Sequence, residues 1–155
     1  MSMQTDCIYG YGFQVEVSDE NLKDFIWNHK KTVETLNRGP EILGWIEERI
    51  VKGDPFDSMK EKFFDYESHY SNEEGLYGLI ADVMSEESGI RFEYHRPQDE
   101  DDIEDVILFP ESYPWYLNEV EKQLTQESFD EIIKKYIDDL GGHMATDYLR
   151  LEYFG

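Results

Sequence analysis

The spacing of apolar residues changes its period several times along this chain, and each change limits the kind of element that a segment can form. In the segment IYGYGFQVEV, residues 8–17, the side chains alternate in character, which is the period of a β-strand. Apolar residues then recur every three or four positions, as they do along one face of a helix. The helix-start signals of these segments are Ser18, Pro40, Asp54, Ser71 and Thr125. Alternation returns in IRFEYHR, and VILF and YLRLEYF are also expected to be strands.

These periods predict an α+β fold. About four mainly antiparallel strands are expected in one sheet with roughly five helices, in the order β-α-α-α-α-β-β-α-β. The third helix is expected to run from Asp54 to Tyr70, with its apolar residues in one sector. No linker or internal repeat divides the sequence, and 155 residues suffice for a real core, so residues 1–155 are expected to form a single domain.

Two glycines interrupt the first predicted strand. Gly10 and Gly12 lie on the same face of the alternating segment. A phosphate-binding loop would need a helix directly after them and the GxxxxGK[ST] pattern, and neither follows. The glycines are therefore expected to let a neighbouring backbone pack closely against the strand.

The acidic excess of the chain is extreme. Thirty-six Asp and Glu face fourteen Lys and Arg, which gives a net charge of −22 at pH 7. Aromatic residues make up 15% of the sequence, a content that disordered acidic chains lack, so the protein is expected to fold. Self-repulsion at this charge lowers folding stability, so solubility alone is a poor explanation for it. Nucleic acid and anionic membranes are excluded as partners because both are negative.

The N-terminal third of the chain carries little of this charge. The net charge is −3 over residues 1–53, −8 over residues 54–90 and −11 over residues 91–155. Cys7 is the only cysteine, so no internal disulfide can form. The opening MSMQTDC lacks the features of a signal peptide, and no apolar run approaches the length of a membrane span. A cytoplasmic protein is expected.

Clustered carboxylates form the candidate binding surface. The predicted third helix places Asp57, Glu61 and Asp65 in a row, one turn apart, and the segment PQDEDDIEDVILFP packs further acids between two predicted strands. Aromatic residues near these acids, among them Phe64, Tyr113, Trp115 and Tyr116, are candidate anchors. The predicted partner-binding residues are Asp57, Glu61, Phe64, Asp65, Glu73, Glu74, Asp82, Glu86, Glu87, Asp99, Glu100, Asp101, Asp102, Glu104 and Asp105.

The sequence contains no motif for metal binding or catalysis. The acidic segment lacks the glycine and the twelfth-position glutamate of an EF-hand loop. The four histidines are scattered, and no nucleophile or metal-ligand pattern is present. We therefore expect no catalytic residues, no metal and no cofactor. The alternative for the acidic segment is a plain solvated loop. The alternatives for the whole protein are an acidic scaffold that self-associates and a carboxylate-dependent metal-binding enzyme.

In size, charge and lack of catalytic motifs, the chain resembles DNA-mimic proteins, which include phage anti-restriction and anti-CRISPR inhibitors. It also resembles the acidic immunity proteins that neutralise nuclease toxins. Both resemblances are compositional, so they assign no functional residue. They imply a non-enzymatic inhibitor whose partner is a basic nucleic-acid-handling protein, such as a nuclease or a CRISPR or restriction effector.

Overall fold

A four-stranded antiparallel sheet organises the fold. The structure is a computed structural model, which describes residues 5–71, 73–96, 105–110, 112–142, 144 and 146–154. The strands are β1 (Thr5–Gln14), β2 (Glu93–His95), β3 (Val106–Pro110) and β4 (Thr146–Phe154). Their spatial order is β2-β3-β1-β4, and every neighbouring pair is antiparallel. The predicted α+β class with an antiparallel sheet is confirmed.

The helices are more numerous than predicted, because short helical turns separate the long ones. They are α1 (Asp19–Asn28), α2 (Lys30–Val33), α3 (Gly39–Lys52), α4 (Met59–Lys62), α5 (Leu76–Ser88), α6 (Glu119–Lys122) and α7 (Gln126–Asp139), with a 3₁₀ turn at Pro114–Tyr116. The caps of α1 and α7 are those predicted: Ser18 accepts from the backbone N–H of Asn21, and Thr125 accepts from that of Ser128.

The glycines of β1 have the predicted role. A Cβ built on Gly12 would lie 2.0 Å from the carbonyl oxygen of Ile107, and one on Gly10 would lie 2.5 Å from that of Phe109. Both carbonyls belong to β3, which pairs with β1 through this stretch. Only a residue without a side chain permits so close an approach of the two backbones.

The predicted third helix is wrong over most of its length. Within the expected span from Asp54 to Tyr70, only Met59–Lys62 is helical. The chain turns after α4, and the carbonyl of Tyr66 accepts a hydrogen bond from the N–H of Gly75, at 2.8 Å, instead of from its own helix. Three apolar residues of the predicted face are still buried, since Met59, Phe63 and Tyr66 have exposures of 0, 0 and 1%, while Phe56 and Tyr70 are partly exposed.

The start of α5 also differs from the prediction. Ser71 and Glu74 do not cap it, because the helix begins at Leu76 with Gly75 as its N-cap. The hydroxyl of Ser71 instead accepts from the backbone N–H of Tyr94 at 2.5 Å. Helix α5 is buried over nine of its 13 residues, so it is surrounded by other elements.

Candidate partner-binding surface

Two glutamates face each other directly at the N-terminal end of α5. Glu67 and Glu74 form an antiparallel backbone bridge, next to the hydrogen bond from Gly75 to Tyr66. Side chains at such opposed positions lie on one face, with Cβ atoms about 5 Å apart. Both residues are exposed. Like charges placed opposite each other are destabilising, so the contact does not serve stability.

An exposed phenylalanine lies three residues before Glu67. Phe64 is 67% exposed, whereas its neighbour Phe63 is fully buried, with its ring 5.8 Å from that of Trp45 in an edge-to-face contact. Phe64 lines an open cleft of about 480 Å³ together with Glu73 and Glu74. We call these three residues, with Glu67 and with Glu61, an exposed glutamate three positions before Phe64 in the chain, the acidic face. Among the described residues, no ion pair reaches any of its four glutamates.

The two bases that line the cleft have other partners. The ammonium of Lys60 donates to the hydroxyl of Tyr77 at 3.2 Å and lies 5.3 Å from the centre of that ring. The guanidinium of Arg96 donates to Asp105 at 2.9 Å. The hydrogen bond to Asp105 raises the pKa of Arg96. These bases therefore leave the carboxylates of the acidic face without direct neutralisation.

The predicted row of Asp57, Glu61 and Asp65 does not exist as a helix face. Helix α4 ends at Lys62, so Asp57 precedes it and Asp65 follows it. Asp57 and Glu61 are exposed and have no ion pair within the described part of the chain. Asp65 accepts from the guanidinium of Arg38 at 2.8 Å, and this hydrogen bond lowers the pKa of Asp65. Asp65 is therefore neutralised by its own chain.

Asp82 was wrongly predicted to contribute surface charge. It is 1% exposed, and its carboxylate accepts from the hydroxyls of Tyr66 and Ser68 at 2.8 and 2.6 Å. The backbone N–H of His69 also donates to it at 3.1 Å. Burial raises the pKa of Asp82, and these hydrogen bonds only partly oppose that effect. Asp82 is therefore a buried acceptor that holds the loop after α4 in place, and its side chain is not part of the exposed surface.

Glu86 and Glu87 accept hydrogen bonds from other elements of the fold. The hydroxyl of Tyr70 donates to Glu86 at 2.9 Å. Glu87 accepts from the hydroxyl of Thr32 at 2.7 Å and lies 2.9 Å from the imidazole of His29. The other ring nitrogen of His29 lies 2.9 Å from Asp139, so this histidine bridges two carboxylates. No sequence motif predicts this cluster, because its members are far apart along the chain.

The acidic run between β2 and β3 is described only at its C-terminal end. Asp99, Glu100, Asp101, Asp102 and Glu104 lie outside the described residues. Asp105 is described, and its carboxylate accepts from the hydroxyl of Tyr94 at 2.6 Å as well as from Arg96. Burial raises the pKa of Tyr94, so its hydroxyl keeps its proton. Asp105 is thus held inside the fold's own network.

Among the predicted residues that the structure describes, some are exposed and some are held by internal partners. Phe64, Glu73 and Glu74 line one cleft, and Glu67 is bridged to Glu74. Glu61 and Asp57 are exposed in the chain before them. The prediction omitted Glu67 because no turn motif in the sequence signals its pairing with Glu74. The carboxylates held by internal partners are Asp65, Asp82, Glu86, Glu87 and Asp105.

In the part of the chain that the structure describes, no group of three or more His, Cys, Asp or Glu residues is arranged to hold a metal ion. None of the helices described has the length and apolar character needed to cross a bilayer. No protein-family model matches the chain, and no curated protein or solved structure is significantly similar to it.

Proposed function

We propose that this protein is a non-enzymatic inhibitor that presents its acidic face to the cationic groove of a nucleic-acid-handling protein and so acts as a DNA or RNA mimic. The observation that carries the proposal is the opposition of Glu67 and Glu74. The fold pairs the backbones of two exposed glutamates, and like charges at such opposed positions cost stability, although it supplies cations to Asp65 and Asp105.

The geometry of the acidic face supports a preorganised mimic. A nucleic-acid strand presents one negative charge for about every 3.4 Å of rise, and proteins that bind it line their grooves with Lys and Arg. The bridge fixes the backbone positions of Glu67 and Glu74, so little conformational entropy is lost on binding. Phe64, 67% exposed beside them, supplies an apolar contact of the kind that anchors interfaces.

The net charge supports the same class of partner. At −22, the chain attracts basic proteins over long range and accelerates their encounter at low salt. The proposed targets are a nuclease or a CRISPR or restriction effector, as for anti-defence inhibitors, or a nuclease toxin, as for immunity proteins. We propose that the inhibitor acts in the cytoplasm.

Charge reversal with a matched control tests the proposal. The variant E61K/E67K/E74K adds two charges at each of three positions and so takes the net charge from −22 to −16. The control E16K/E34K/E47K makes the same change at exposed glutamates that have no ion pair among the described residues. DNA cleavage is measured with a panel of purified restriction, CRISPR and toxin nucleases.

We expect at least one nuclease to be inhibited by the wild type and by the control variant but not by the acidic-face variant. Added DNA should compete with the inhibitor. Equal inhibition by the two triple variants would reject the acidic face as the binding surface. Failure of the wild type to bind any member of the panel would reject the proposed function.

A further inference from the structure

Three aromatic side chains form an exposed platform around the 3₁₀ turn. Tyr113, Trp115 and Tyr116 are 63, 71 and 68% exposed. The rings of Tyr113 and Trp115 are stacked, with centroids 4.7 Å apart and planes 3° from parallel, and the ring of Tyr116 lies 6.1 Å from that of Trp115. We call these three residues the aromatic platform. The three rings pack against one another, and the rest of the described chain leaves most of their surface exposed.

The chain that follows the platform is fixed to the C-terminal end of α5. The side-chain amide of Asn118 donates to the carbonyl oxygen of Gly89 at 2.9 Å, and Asn118 also forms a capping box with Glu121. Glu121 is 6% exposed and accepts from the backbone N–H of Arg91 at 3.0 Å. These contacts hold the turn in place.

Helix α5 separates the platform from the acidic face. The bridge of Glu74 immediately precedes its first turn, and Asn118 binds at its C-cap, Gly89. A helix of 13 residues is about 20 Å long. The platform is therefore a second, separate contact area rather than an extension of the acidic face.

The tryptophan of the platform differs from the other two in this sequence. The ammonium of Lys30 lies 4.9 Å from the ring centre of Trp27, and the guanidinium of Arg49 lies 4.4 Å from that of Trp45. Trp115 has no Lys or Arg over its ring among the described residues, although it is 71% exposed. One π face of Trp115 is stacked against Tyr113, and no cation of the described residues covers the other.

We infer that the aromatic platform receives arginine side chains of the basic partner, an inference that rests on the proposed function. The negative charge of the chain favours a cation at an open aromatic face. The carboxylate of Glu119 follows the turn; it is 86% exposed and pairs with the ammonium of Lys122 at 3.2 Å, an exposed ion pair of the weak kind that a guanidinium of the partner can replace. A planar guanidinium stacks on an aromatic ring and pairs with a carboxylate in one geometry, whereas an ammonium does not stack. The platform therefore distinguishes arginine from lysine, which the acidic face alone does not.

Two end-blocked probes of equal charge, octa-arginine and octalysine, test this selectivity. Their affinities for the whole protein are measured by fluorescence anisotropy at low and moderate salt. We expect the wild type to prefer octa-arginine by roughly two- to fivefold, which corresponds to one exposed cation–π contact. W115A should reduce that preference to the level of Y113A/W115A, and W115F, which keeps an aromatic face, should restore part of it.

V51A is the control, because Val51 is 81% exposed on α3 and remote in sequence from the platform. It should keep the full preference for octa-arginine. An undiminished preference in folded W115A and Y113A/W115A would overturn the inference. So would sedimentation velocity that shows a wild-type dimer and a W115A monomer, since the platform would then be a contact between copies of this chain.

The acidic-face variant E61K/E67K/E74K separates this inference from the proposed function. It should bind both peptides more weakly than the control E16K/E34K/E47K while retaining the preference for arginine. Loss of the preference in W115A together with equal binding by the two triple variants would support the platform and reject the acidic face. The reverse pattern would reject the platform and leave the proposed function standing.

Discussion

The hydroxyl of Tyr66 donates a hydrogen bond to the carboxylate of Asp82 across 2.8 Å, and both residues are 1% exposed. Asp82 lies on the central helix α5, and Tyr66 ends the turn that follows α4. This contact joins the buried side of the chain to the segment whose next residue, Glu67, faces Glu74. The geometry of the acidic face therefore depends on a buried hydrogen bond beneath it.

Asp82→Ala should destabilise the protein strongly. It leaves the hydroxyls of Tyr66 and Ser68 and the N–H of His69 without their acceptor, and unpaired buried groups cost about 1–3 kcal/mol each. We expect the free energy of unfolding to fall by about 3 kcal/mol or more. Urea denaturation followed by tryptophan fluorescence measures this change. Glu34→Ala, at an exposed site, should stay within about 0.5 kcal/mol of the wild type.

The pairing of Glu67 with Glu74 should lower the free energy of unfolding by a measurable amount. E67K places a lysine opposite Glu74 and should raise the free energy of unfolding by about 0.2–1 kcal/mol relative to E16K, which makes the same change in net charge. In a double-mutant cycle, E67K/E74K should lose that gain because two like charges face each other again. Strict additivity of the two reversals would show that the side chains do not interact.

The stabilisation that comes from Glu87 should disappear in acid. Burial acts to raise the pKa of Glu87, but hydrogen bonds from Thr32 and His29 outweigh it and hold that pKa below its usual value. A carboxylate with a lowered folded-state pKa stabilises the fold above its unfolded pKa of about 4.3, and this contribution is lost as the pH falls. The difference in unfolding free energy between wild type and E87Q should therefore shrink between about pH 6 and pH 3. A difference independent of pH over that range would contradict this account.

Gly12→Ala should break the pairing of β1 with β3. Its methyl group would lie 2.0 Å from the carbonyl oxygen of Ile107, so the strands must separate. We expect a loss of about 3 kcal/mol or failure to fold, measured by circular dichroism and urea denaturation. Gly44→Ala is the matched control. Nothing lies within 4 Å of the added methyl group on α3, so this variant should gain about 0.5–1 kcal/mol.

Local signals predicted the helix caps, because each cap is made within three residues of the chain. The caps at Ser18 and Thr125 appear in the structure as expected. The alternation of residues 8–17 also predicted β1, which runs from Thr5 to Gln14, although the partners of this strand, β3 and β4, lie far along the chain. The helix predicted from Asp54 to Tyr70 failed for a non-local reason. Met59, Phe63 and Tyr66 are buried as expected. However, the hydroxyl of Tyr66 and the N–H of His69 donate to Asp82, and the N–H of Gly75 donates to the carbonyl of Tyr66, so the segment makes these contacts instead of continuing as a helix. Apolar spacing reports which residues are buried and not which backbone conformation buries them.

The same distinction applies to the candidate site. The acidic excess of 36 over 14 and the apolar pattern of an α+β core can be predicted without a structure, because both are properties of composition and local order. Which carboxylates remain unmatched depends instead on contacts between distant parts of the folded chain. Asp65 accepts a hydrogen bond from Arg38, 27 positions away in the chain, and His29 lies within hydrogen-bond distance of Asp139, 110 positions away. Glu67, in contrast, is paired through its backbone with another acid, Glu74. Charge is fixed by residue type, but the field at a surface depends on which charges the fold brings together.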